Sequence, residues 1–353
     1  MATSCCNLTR NRARHPAHPR SVGSRGVEGI PSRVFVTGGS GYIGRNLIRR
    51  LVQDGNEVVA LARGSASAAK VEALGARAAP GDILDPDSLL AGMQECQWLV
   101  HAAADTGHGA IETSQHHTNL AGTRNVFKAA RAAGVRRAIH LSTEAVLLSG
   151  KPLVMATEET PIPTRHAGSY SASKAAAECV ALELNSIECP VVVVRPRFVW
   201  GRDDTTALPQ LIAAARSGKL AWIGGGRYHT STSHIDNVVE GIVLALEKGR
   251  GGEAYFVTDG DPVEFRGFVS RLLEHAGVAP PTKSAPRWLV ASAARLGDAL
   301  AQLTGGRFHP PIGGQEYGTV GVEVTLDISK AMRELGYRPV ITREEGLATV
   351  AKP

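Results

Sequence analysis

Tyr170 and Lys174, in the segment "YSASK", stand four residues apart, and Ser142 and Thr143, in "LSTEA", precede them by about one helix and a loop. Together these four could move a proton. A tyrosine hydroxyl ionises near pH 10, too high for a base at neutral pH, so it needs a cation beside it to work as one. Positions i and i+4 of a helix share a face, which puts the Lys174 ammonium within reach of Tyr170. A hydroxyl from Ser142 or Thr143 could then share the oxygen of an alcohol or carbonyl with Tyr170, while a nicotinamide exchanges hydride with the attached carbon. A bare Y-x-x-x-K occurs by chance on many exposed helices. The strand-end hydroxyls make the pattern specific.

A nicotinamide needs a seat, and the stretch Val34–Gly44, "VFVTGGSGYIG", offers one. Gly38, Gly41 and Gly44 are spaced three apart and follow an apolar run that reads as the buried first strand of a parallel sheet. After them Ile43, Leu47, Ile48, Leu51 and Val52 recur at helical spacing until Gly55. The glycines therefore occupy a strand-to-helix turn. The helix N-terminus at Tyr42 and Ile43 presents unpaired N–H groups and a positive dipole end to a pyrophosphate, and the missing side chains let phosphate and backbone approach. The next strand, "EVVALAR", ends in Ala62 and Arg63 where an acidic residue would bind both ribose hydroxyls of NAD. A guanidinium can instead pair with a 2′-phosphate, with Ser65 as a further donor. NADP is thus the expected cofactor, with NAD the alternative.

From Arg33 to Arg195 the chain alternates strands ("RVFVT", "EVVALA", "ARAAPGD", "QWLVHAAA", "VRRAIHLS", "VVVVRP") with helical patterns such as "NLAGTRNVFKAARAAG" and "SASKAAAECVALELN". This rhythm predicts an α/β fold, a doubly wound parallel sheet of Rossmann type over residues 31–200. Beyond Pro196 the rhythm changes: helices near 206–218, 236–248, 264–276 and 286–303 mix with short strands at "AYFVT" and "VEVTLD". Residues 201–353 are expected to form mainly a smaller substrate-binding lobe, with 236–258 returning to the first domain.

Composition narrows the remaining possibilities. The 353 residues are 43% apolar, enough for a sizeable core, and the formal charge is +6. Residues 1–30 hold Arg10, Arg12, Arg14, Arg20 and Arg25 against Glu28 alone, which leaves the rest of the chain at +2. The excess sits on a Pro/Ser/Arg-rich tail expected to be disordered and dispensable, so it argues for a leader or an upstream start rather than for a nucleic-acid partner. Five scattered cysteines (Cys5, Cys6, Cys96, Cys179, Cys189), with no C-x-x-C pair and no convincing secretory signal, point to a reducing, cytoplasmic compartment. His101, His108, His116, His117 and His140 fall at no metal-ligand spacing with cysteines or carboxylates, read as surface or loop histidines, and imply no metal. His234, in "HIDN", either faces a substrate or caps the helix that starts near Asp236.

The ordered series of motifs resembles the extended short-chain dehydrogenases/reductases, the NAD-dependent epimerase/dehydratase superfamily, over roughly residues 33–350. It comprises "TGGSGYIG", "GDILD" at Gly81–Asp85, "HAAA", "TNLAGTRNV", Y-x-x-x-K, "VVRPRFVWG" and "LDISKAMRELGYRP". The resemblance implies that Asp82 and Ile83 flank the adenine, Ala102, Ala103 and Ala104 lie along the cofactor, Asn119 supports the site and Pro196 adjoins the nicotinamide. It places a serine of the family at Thr143, so Thr143 and Ser142 both stand as candidates. "STEAVL", "RPRFVWGRDDTTALPQLIAAARSGKL" and "SHIDNVVEG" look most similar to the 3β-hydroxysteroid dehydrogenase branch, which includes 2-alkyl-3-oxoalkanoate reductases. That implies a bulky apolar secondary alcohol or ketone as substrate; a homodimer is the expected assembly. The stretch 286–303 carries Leu289, Ala293, Leu296, Leu300 and Leu303 on one side. Core packing, the roof of an apolar pocket and a membrane-surface contact all fit it. Two rivals remain: a nucleotide-sugar epimerase or dehydratase that retains its NAD, and a cofactor-sensing protein without catalysis, which would need neither Tyr170 nor Lys174.

Overall fold

The computed structural model describes residues 32–105, 112–305, 307, 308, 310 and 312–350. The basic tail and His108 lie outside the described residues. Five apolar runs form strands β1 (Arg33–Thr37), β2 (Glu57–Ala62), β3 (Arg77–Pro80), β4 (Trp98–His101) and β5 (Arg137–Leu141). Val34, Phe35, Val36, Leu99, Val100, Ala138 and Ile139 are fully buried, because helices cover both faces of the sheet. The strands Val191–Pro196 and Ala254–Val257 complete it. The spatial order is Ala254–Val257, Val191–Pro196, β5, β4, β1, β2, β3, and every pairing is parallel.

This is a Rossmann-type sheet. Its strand order reverses between β1 and β4, so their carboxyl ends flank the crevice where such sheets bind ligands. Helices α1 (Tyr42–Gln53), α2 (Ser65–Glu72), α3 (Pro86–Gly92), α4 (Glu112–Ala132) and α5 (Ser169–Glu183) make the crossovers. Leu47, Ile48 and Leu51 of α1 are buried in one core with the sheet, and Val126, Phe127 and Ala130 of α4 in another.

The second half contributes α6 (Ala207–Arg216), α7 (Ile235–Lys248), α8 (Phe265–His275), α9 (Arg287–Leu303) and α10 (Gly314–Val320). Helix α7 lies on the main sheet, with Ile235, Val238 and Ile242 in the same core as α1. Trp200, Trp222, Tyr228, Phe265, Phe268 and Leu272 build a separate cluster. A four-stranded sheet in the order Val263–Glu264, His229–Thr230, Val324–Leu326, Leu153–Ala156 draws its last strand from before α5, so the two halves share structure.

Two sequence readings change here. His101 and His140 are not surface or loop residues: both are buried on β4 and β5, with ring centroids 5.5 Å apart. His101 hydrogen-bonds Thr37 Oγ1 through Nδ1 at 2.7 Å and Thr123 Oγ1 through Nε2 at 3.0 Å, and burial lowers its pKa to about 3, so it is a neutral strut. The core-packing reading of 286–303 also fails. Leu289, Leu296, Leu300 and Leu303 of α9 are exposed, and the helix buries Ala294 and Gly297 instead.

Candidate active site

Each glycine of the opening turn is there for its own reason. Gly38 has φ +74°, and a Cβ on it would sit 2.6 Å from Ala103 N and 2.7 Å from Ala102 C, so only glycine lets the turn pass the chain leaving β4. A Cβ on Gly44 would lie 2.1 Å from Gly38 O; α1 can approach β1 only without one. Gly41 is the N-cap of α1 and has no capping side chain, so the N–H groups of Tyr42 and Ile43 head the helix uncovered. Gly41 itself is exposed. The cradle a side chain would fill is open to a pyrophosphate, so these residues fit a dinucleotide.

The rest of the groove follows the crevice. Thr37 accepts from Ala103 N through its hydroxyl at 3.2 Å and from Ala102 N through its carbonyl at 3.2 Å, which fixes Ala102 and Ala103 beside Gly38. Ala104 and Asp105 continue that chain, and Asn119 holds it: Asn119 Oδ1 accepts from Asp105 N at 2.7 Å, while its amide donates to Asp105 O and to Ser173 of α5. Asp82 Oδ1 accepts from Leu84 N at 2.9 Å and shapes the turn after β3, with Ile83 buried against Gly122 of α4. Arg63 is exposed immediately past the end of β2, makes no ion pair with a described residue, and is followed by Gly64 and the first turn of α2 at Ser65. Pro196 ends the strand Val191–Pro196, next to β5 in the sheet.

The carboxyl end of β5 delivers Ser142 and Thr143, and the first turns of α5 deliver Tyr170 and Lys174. The two hydroxyls are not equivalent. Ser142 donates at 2.6 Å to the Glu178 carboxylate, which also pairs with Arg195 deep in the core. Thr143 stands close enough to Tyr170 to lower the phenol's pKa, accepts from Ala145 N at 3.2 Å and donates to Glu144 Oε2 at 2.7 Å. Geometry thus separates the candidates: Thr143 stands beside Tyr170, and Ser142 faces structural partners.

The expected pairing of Lys174 with Tyr170 takes another form. Lys174 is buried and donates at 2.9 Å to Leu141 O, and burial lowers its pKa to about 8, with Glu178 opposing. Burial, and then the Glu144 charge, hold the Tyr170 phenol above its ordinary pKa, against a smaller lowering by Thr143. Tyr170 is therefore protonated throughout the neutral range, poised as a proton donor. His234 takes the helix-cap alternative, its Nδ1 accepting from Asp236 N at 3.2 Å to head α7.

Three charged residues of the site were missed. Glu178 lies four residues beyond Lys174, so the i, i+4 stripe that joined Tyr170 to Lys174 would have reached it. Glu144 and Arg197 form a buried ion pair at 2.6 Å, and Arg197 also donates to Thr230 Oγ1 and to Thr319 O. No spacing rule links residues 53 positions apart.

Residues 34–258 match the NAD dependent epimerase/dehydratase family. The chain is 46% identical over 315 residues to a 4-hydroxy-2-methyl-3-oxo-4-farnesyl-3,4-dihydroquinoline-1-oxide ketoreductase of Stigmatella aurantiaca, covering 89% of this chain and 94% of that one. It is 31% identical over 325 residues to a 2-alkyl-3-oxoalkanoate reductase of Stenotrophomonas maltophilia, covering 89% and 97%. A crystal structure of a dTDP-glucose 4,6-dehydratase of Streptomyces venezuelae with NAD bound matches with TM-score 0.71 and 27% identity, over 90% of this chain and 95% of that one. With the glycine turn and the Tyr170 cluster at the carboxyl ends of the sheet, these matches show that the chain belongs to the NAD dependent epimerase/dehydratase family of extended short-chain dehydrogenases/reductases and is a nicotinamide-dependent oxidoreductase.

Proposed function

We propose that the protein reduces a ketone carried on a bulky apolar skeleton, with NADPH as the preferred reductant. The observation that carries this reading is the placement of Tyr170: it lies in the first turn of α5 beside Thr143 at the carboxyl end of the sheet, and burial holds its phenol protonated. A carbonyl oxygen between the two hydroxyls receives a hydrogen bond from each. Thr143 turns its proton from Glu144 to the substrate, and Glu144 stays paired with Arg197. NADPH, when bound, supplies the hydride that the carbonyl carbon takes. Tyr170 gives its proton to the oxygen, so the carbonyl becomes a secondary alcohol and the phenolate left behind is one helical turn from Lys174. The names of the Stigmatella and Stenotrophomonas relatives, a farnesylated quinoline oxide ketoreductase and a 2-alkyl-3-oxoalkanoate reductase, support a ketone beside an aliphatic chain. Arg63, exposed just past β2 and in no ion pair with a described residue, favours a cofactor with a 2′-phosphate.

One assay tests the reading. Oxidation of NADPH and NADH is followed with a prenylated quinolone ketone, a 2-alkyl-3-oxoalkanoate, a 3-ketosteroid and a nucleotide sugar, for wild type, Tyr170→Phe and Arg63→Ala. The expected result is turnover with the apolar ketones, a loss of roughly 10²–10⁴-fold in Tyr170→Phe, and a NADPH/NADH preference that falls about tenfold in Arg63→Ala, the worth of one charge-assisted hydrogen bond. Turnover of the nucleotide sugar with no net change in nicotinamide absorbance would sink the proposal in favour of an epimerase that retains its cofactor.

A further inference from the structure

Helix α9 is inside out. It buries Ala294 and Gly297, and a Cβ on Gly297 would lie 2.5 Å from Pro310 Cβ, while its large side chains face water. Trp288 is 71% exposed, Leu289 49%, Leu296 63%, Leu300 39% and Leu303 84%. At 100° per residue these five fall within an arc of about 120°, one continuous apolar stripe along the helix. Phe308, 40% exposed, follows just beyond the C-terminus. A stripe of this kind on a soluble surface is costly unless something covers it.

The surroundings of the stripe say what fits. Lys283, Arg287, Arg295 and Arg307 are exposed, and none forms an ion pair with a described residue. Between Lys283 and Phe308 the one acidic residue in the sequence is Asp298, whose carboxylate accepts from Gly314 N of α10. A second copy of this chain docked stripe to stripe would oppose two sets of like charges. An anionic surface with an apolar interior complements both features, with Trp288 suited to the boundary between them. No helix among the described residues is long and apolar enough to cross a membrane, so the contact is with a surface.

We propose that α9 docks the protein on the surface of an anionic lipid bilayer, its leucine stripe in the acyl boundary and its basic residues at the headgroups. A cavity of about 780 Å³ lies directly behind the helix, between Ala291, Ala294 and Arg295 of α9 and the segment Pro163–Ala167 that leads into Tyr170. The docking itself does not rest on the identity of the substrate.

The test uses the purified full chain and vesicles of phosphatidylcholine with or without phosphatidylglycerol. Wild type is expected to co-sediment with the phosphatidylglycerol vesicles, less so in high salt, and to show a blue shift in tryptophan fluorescence that Trp288→Phe abolishes, since Trp200 and Trp222 are buried and Trp98 is half-buried on β4 in the sheet. Leu296→Asp/Leu303→Asp is expected to weaken sedimentation roughly tenfold or more, with melting temperature and turnover of a water-soluble ketone unchanged. Three results would overturn the proposal: no sedimentation of the wild type, equal sedimentation of the double variant, or a wild-type oligomer that the double variant dissolves, which would make the stripe a self-interface.

Discussion

At the scale of single residues, the site turns on which of two neighbouring hydroxyls faces the chemistry. Ser142 and Thr143 differ by one position, and successive residues leaving a strand point to opposite sides. One therefore goes to the core, where Glu178, itself paired with Arg195, accepts its hydrogen bond, and the other to Tyr170. Ser142→Ala is expected to keep kcat near wild type but to lower stability by about 1.5–3 kcal/mol, the worth of a hydrogen bond to a charged group. Thr143→Ala is expected to do the reverse: kcat falls about 100-fold and the melting temperature holds. Steady-state kinetics beside thermal unfolding decide it, and the opposite ranking in kcat would move the role to Ser142. Tyr170 and Lys174 were legible in the sequence because helical spacing is local. The true company of Lys174 was not: its ammonium donates to Leu141 O, a backbone atom 33 residues away that no side-chain pattern encodes.

At the scale of elements, the strand-to-helix turn was legible in the glycine spacing where the steric demand is local, as at Gly44 against Gly38, but the contact of Gly38 with Ala102 and Ala103 was not. Gly44→Ala should be severe. Its Cβ would meet Gly38 O at 2.1 Å, both atoms belong to backbone that cannot yield, and α1 must back away from β1 and take its N-terminus with it. A loss of about 1–3 kcal/mol, as for overpacking in a core, is expected together with weaker NADPH binding. Gly64→Ala is the control: its φ of −171° suits any residue and nothing lies within 4 Å of the added Cβ. Thermal unfolding and NADPH titration of both variants check this, and equal behaviour would refute the close-packing argument. Helix α9 shows where such reading stops. Periodicity reveals that Leu289, Leu296, Leu300 and Leu303 share a side, but not whether anything covers that side. His101 and His140 were misread for a related reason, because only the third dimension shows that Thr37 and Thr123 complete His101.

At the scale of the molecule, one buried side chain joins the halves. Arg197 leaves the sheet, pairs with Glu144 beside Thr143, and donates to Thr230 of the small sheet and to Thr319 O of α10. The sequence showed Arg197 only as a letter within "RPRFVWG"; its partners lie 53, 33 and 122 residues away. Burial weakens a guanidinium's hold on its proton and Glu144 partly offsets this, so each charge is tolerated because of the other. Arg197→Met should therefore cost about 3–5 kcal/mol, the penalty of stranding a buried charge. Arg197→Met/Glu144→Gln should be the more stable of the two, because the stranded carboxylate is gone. Turnover should not return with stability in that double variant, since the support that holds the small sheet and α10 against Thr143 is still absent. Urea unfolding of Arg197→Met, Glu144→Gln and the double variant, with ketone kinetics on the double variant, checks the argument. Stabilities that simply add would show that Glu144 and Arg197 do not act as a unit, and full recovery of kcat would show that the site needs no bridge between the halves.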